Sequence, residues 1–139
     1  MTDLIKRMEM TELTRQKFYG KKFGWGTCDC AKVAAFHARK FDWKVPTTGE
    51  YRSYRTAKQA LKKLGVDSIP ELVAATGLRE IPPASAMIGD IVSFASDADI
   101  GAVGIVIGNG NMLAFHESVD TAAIISMGVI DKAWSIDNG

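Results

Sequence analysis

The chain has 139 residues, 47% of them hydrophobic and 24% charged, the size and make-up of one ordinary soluble domain that buries about two thirds of its unfolded surface. Its formal charge of +1 gives no footprint for nucleic acid, whose binders cluster a basic excess on one face. No window approaches 18 uninterrupted apolar residues, so no membrane span is expected.

In chain order, residues 2–19 carry Leu4, Ile5, Met8, Leu13 and Phe18 among charges, which predicts an imperfectly amphipathic helix ending at Gly20. Its first residues lack the apolar run of a secretory signal, so synthesis and folding in a cytoplasm are expected. Phe23-Gly24-Trp25-Gly26 is too glycine-rich for a helix and suits a tight loop. Cys30, Val33, Ala34, His37 and Phe41 then fall on one face of a second helix, 30–41. After a break at 46–49, helices are predicted over 50–64, ending at Gly65, and 69–76, ending at Gly77.

Beyond Pro82-Pro83 the period changes. Strands are predicted over 90–94, 102–107, 112–116, 122–126 and 133–136. Asn109-Gly110 marks a hairpin, because both residue types take positive φ readily. Helices first and a short-looped antiparallel sheet second make an α+β arrangement.

The chemistry concentrates at Cys28-Asp29-Cys30. Two thiols one residue apart fall short of an extracellular disulfide framework and fit a reducing compartment. Asp29 is a good N-cap, which puts Cys30 in the first helical turn, where the helix dipole favours a thiolate. The Asp29 charge works against that second anion. Cys28 reads as structural. A Cys28/Cys30/His116 metal site falls short of four ligands, so no metal and no cofactor are expected.

Trp25-Gly26, then Asp29-Cys30 opening a helix, then Gly89-Asp90-Ile91-Val92 opening a strand, resemble the NlpC-type, papain-like cysteine peptidases of cell walls. With Tyr51-Arg52, Tyr54-Arg55 and the closing Ala133-Trp134, the pattern resembles a small phage and prophage family of undefined function related to them. The likeness covers residues 23–136 of a single domain, 1–139, preceded by a helix and loop at 1–22. It implies Cys30 as nucleophile and a general base on the strand that here reads Ala102-Val103-Gly104-Ile105. The base position is therefore Ala102, and the orienting position, twelve residues on, is Ala114. Neither accepts a proton.

His37 lies about 10 Å further along the Cys30 helix, beyond the reach of a base, and reads as a core histidine. His116 is the remaining candidate. A two-residue turn pairs Ala102 with Glu117, whereas a bulged turn pairs it with His116. Both registers stay open. Trp25, Gly26 and Tyr51 are candidates to line a substrate cleft. Tyr51, Arg52, Tyr54 and Arg55 form either a partner surface or a solvated helix face. Asp90 reads as serving the turn into its strand.

Three functions follow. One is a phage structural protein on a degenerate peptidase fold, at the tail or tail tip, bound to other tail proteins and carried in a virion. The others are an active thiol peptidase or amidase on peptidoglycan peptide, and a module that holds peptide or glycan without cutting.

Overall fold

The computed structural model describes residues 3–47, 49–96, 99–115 and 120–138. Among them are four helices: α1 (Leu4–Phe18), α2 (Cys30–Lys40), α3 (Tyr54–Lys63) and α4 (Ile69–Thr76). They precede an antiparallel sheet of β1 (Glu80–Ile81), β2 (Ile91–Phe94), β3 (Ala102–Gly108), β4 (Asn111–Phe115), β5 (Ala122–Ser126) and β6 (Ile130–Trp134). The strand order is β1-β6-β2-β3-β4-β5. This is the expected α+β arrangement.

Side-chain caps set the helix starts. Asp3, Asp29, Ser53 and Ser68 each accept a backbone N–H three residues on. The third helix therefore starts at Tyr54, four residues later than its apolar pattern suggests, because Ser53 and Thr56 close a reciprocal capping box. Residues 50–53 are left outside the helix, with Tyr51 buried. The last strand is also displaced from the expected 133–136. It runs Ile130–Trp134 because Ala133 and Trp134 pair with both β1 and β2.

The sheet has an apolar face on each side. Val103, Ile105 and Leu113 pack inward with Val33, Ala34 and Phe41 of the α2 segment. Val92, Val106, Met112, Ala114 and Ala133 form a second cluster on the opposite face.

Helix α1 corrects a sequence expectation. Of the five apolar residues that predicted the helix only Phe18 is buried, together with Arg7, Thr11 and Thr14, while Leu4, Ile5, Met8 and Leu13 are exposed. The reason is a polar interior at the α1–α2–β2 junction. Arg7 Nη1 donates to Asp90 Oδ1 at 2.8 Å and to the Ile88 carbonyl at 2.9 Å. Asp90 also accepts from the Met87 and Ile136 backbone N–H groups. It thus closes the turn into β2, as expected, and anchors α1 as well.

The β3–β4 hairpin contains both features that the sequence left as alternatives. Its turn is the two-residue Asn109-Gly110, with φ of 55° and 74°, and Gly108 pairs with Asn111. One residue earlier, Ile107 bulges out, so Val106 pairs with Met112 and Ile105 with Leu113. The body of the hairpin is therefore in the bulged register.

Candidate active site

Cys30 is the first residue of α2, and the loop before it is built to hold Asp29. Gly24 and Cys28 exchange backbone hydrogen bonds at 2.9 Å in both directions, which folds 24–28 into a tight turn. Gly26 is at φ +79°, and a Cβ there would meet the Tyr51 carbonyl oxygen at 2.1 Å. Only glycine fits that approach.

The buried Asp29 carboxylate is fully engaged. Oδ1 accepts from the Lys32 N–H at 2.9 Å, and Oδ2 from the Gly26 N–H at 2.8 Å and the Tyr51 hydroxyl at 2.9 Å. Burial, and then the Asp29 charge, hold the Tyr51 phenol well above its usual range, so it stays a donor.

Cys30 is half-buried and meets β3 at its start. Apolar surroundings disfavour its thiolate, and the pKa is pushed up to about 11. A backbone hydrogen bond involving Val103 acts the other way, and the Asp29 charge adds to the rise. Burial, followed by Asp29, also raises Cys28.

Cys30 opens into a cleft of about 340 Å³ whose walls include Phe23, Trp25, Phe94, Ile100, Val103 and Phe115. Phe23 stacks edge-on against both Trp25 and Phe115, at 4.9 and 5.3 Å between ring centroids. Opposite Trp25, the start of α4 docks through the Ile69 N–H on the Ile100 carbonyl at 2.7 Å. Ala102 lines the same cleft. The place where the resemblance puts a base therefore brings a methyl group, and no proton acceptor, to the cleft lining. Ala114 is buried on the far face of the sheet, where a Cβ added at Gly104 would stand 3.2 Å from its methyl.

The other expected site residues fall as follows. Trp25 lines the cleft, whereas Gly26 and Tyr51 sit behind Cys30 and hold Asp29. His37 is fully buried. Its Nε2 donates to the Gly89 carbonyl at 2.8 Å, and its Nδ1 accepts from the Thr14 hydroxyl at 2.7 Å. Burial lowers its pKa to about 4, so it is a neutral packing residue. His116 lies outside the described residues, as does the end of the predicted 112–116 strand. No group of three or more histidine, cysteine, aspartate or glutamate side chains among the described residues could hold a metal. No helix among them is long and apolar enough to cross a membrane.

Sequence reasoning missed the aromatic walls supplied by Phe23, Phe94 and Phe115, and the rim carboxylate Asp120. Phe115 follows Leu113 on the inward face of β4, but nothing in the sequence joins it to Phe23.

The fold is similar to the solved structure "NlpC2 from Trichomonas vaginalis", with a TM-score of 0.61 and 14% identity over 97% of this chain. The match covers 49% of the solved chain, so this chain spans about half its length. That likeness shows an NlpC-like, papain-like fold. No curated protein matches the sequence. A family profile described as "Domain of unknown function (DUF6950)" matches residues 7–136, and the chain belongs to that family.

Proposed function

We propose that this chain is a non-hydrolysing domain on the NlpC-type fold that serves as a structural component, in a phage or prophage tail or at its tip. The observation that carries the non-hydrolysing part is the Cys30 cleft, where the thiol lies in apolar surroundings and the residue at the expected base position, Ala102, lines the same cleft without a proton acceptor. A thiol without a base loses both its activation and the proton donor for the leaving amine. General acid–base assistance is worth about 100- to 10,000-fold. The tail role follows from the sequence resemblance, and implies synthesis in a bacterial host cytoplasm and carriage in the virion.

A second reading, a thiol peptidase or amidase on cell-wall peptide with His116 as a relocated base, draws support from the bulged register beyond Val106. Incubating the purified chain with peptidoglycan and model peptides separates the two. No cleavage above buffer is expected. Cleavage that Cys30→Ala and His116→Ala each abolish would establish the hydrolase. Mass spectrometry of purified tails from a lysogen encoding the chain tests the structural role.

A further inference from the structure

We propose that the Cys30 cleft is a binding site for an uncharged apolar group, such as a short aliphatic chain, and that it discriminates against anionic ligands. This deepens the non-hydrolysing reading and rests on it only in that the ligand is held rather than cut.

Three observations carry the inference. First, the cleft has the volume of a small-molecule site, about 340 Å³, and ligand pockets of this kind typically begin at about 300 Å³. Its walls are aromatic and aliphatic and are fixed from two sides. The Phe23–Trp25–Phe115 stack forms one. The other is the α4 start packed on residues 100–101, where a Cβ at Gly101 would meet Pro70 at 2.9 Å.

Second, no lysine or arginine is among the described residues that line it, while two carboxylates are, Asp29 and Asp120. Lys22 reaches Asp120 at 3.9 Å on the exposed rim and does not line the cleft. Third, the α2 N-terminus, the one feature that would attract an anion, is already engaged. The Asp29 carboxylate takes the Lys32 N–H, and the Cys30 and Ala31 N–H groups act on the Cys30 sulfur itself.

An incoming carboxylate would therefore lose its hydration without gaining a cation or a free helix-start N–H. Cell-wall stem peptides carry free carboxylates and fit this cleft poorly, whereas a neutral chain loses no hydration of charge and gains contact with the rings.

The test compares 1-octanol with octanoate on the full chain, reading methyl NMR shifts at Ile69, Ile100, Ala102 and Val103. Octanol should bind saturably with its shifts gathered at those four residues. Octanoate should bind at least about tenfold more weakly, since tenfold corresponds to only about 1.4 kcal/mol. Ala102→Lys, which adds a cation at the cleft wall, should narrow or reverse that gap. Absent octanol binding, shifts centred elsewhere, octanoate binding as tightly to the unaltered chain, or a gap that Ala102→Lys leaves unchanged would each overturn the proposal. Peptide cleavage by the same preparation would sink the non-hydrolysing reading while leaving this preference standing.

Discussion

The Tyr51 hydroxyl donates to Asp29 Oδ2 at 2.9 Å, and the Tyr51 carbonyl lies where a side chain on Gly26 would have to go. One residue thus holds the loop before Cys30 through both its side chain and its backbone. Tyr51→Phe removes one of three donors to a buried carboxylate and should cost about 2 kcal/mol of stability. Gly26→Ala should cost more, because it combines a clash with backbone and a positive φ. Urea denaturation of both variants checks the order.

Cys30 should alkylate as a hindered, unactivated thiol. With a pKa near 11, its iodoacetamide rate should rise about tenfold per pH unit from 7 to 10 without a plateau. Comparing Cys28→Ser with Cys30→Ser assigns the signal. Ala102→His places an imidazole in the cleft and should lower the midpoint, since a nearby cation favours the thiolate. A plateau below pH 7 in the unaltered chain would contradict this account.

His37 makes stability depend on acid. Its folded pKa of about 4 lies below the ordinary 6.5, so the unfolded chain binds the proton more readily. The contribution is complete above pH 6.5 and is lost as pH falls towards 4, to a total of about 3 kcal/mol. Urea midpoints across that window should fall accordingly. His37→Phe should flatten the slope, whatever it does to stability at neutral pH.

Arg7 and Asp90 form a buried ion pair, 6% and 1% exposed at their side chains. Arg7→Met strands a carboxylate that keeps two backbone donors, and should cost about 3–5 kcal/mol. Adding Asp90→Asn should cost less than the sum of the single changes. Nearby, the Thr11 hydroxyl is buried with no partner among the described residues. Thr11→Val should therefore be neutral or stabilising by about 1 kcal/mol.

The local rules were legible in the sequence. Asp29 as an N-cap, Gly77 as a helix stop and Asn109-Gly110 as a turn all act at short range and appear as read. What the sequence hid depends on distant partners. Leu4, Ile5 and Met8 looked like a core stripe, but Arg7 finds Asp90 83 residues away and turns the opposite face of α1 inward. The hairpin register hinged on Ile107, whose bulge leaves no mark that distinguishes it from any other strand isoleucine. Cys30 and Ala102 line one cleft, and the aromatic walls around it emerge only once β2, β3 and β4 lie side by side.

At the orienting position that the resemblance implies, Gly104 and Ala114 leave no room for a larger side chain. The Ala114 methyl, 4% exposed, occupies a pleat shared with Val92, Val106 and Met112, and an added Cβ on Gly104 would already crowd it at 3.2 Å. A histidine or asparagine at 114 would have to displace packed neighbours before it could orient anything, at about 1–3 kcal/mol for overpacking alone. A base regained at 102 would meet an open lip, but its support would meet a sealed one. Building a triad into this fold therefore has a structural ratchet against it: the first step is open, and the second must be preceded by repacking of the sheet.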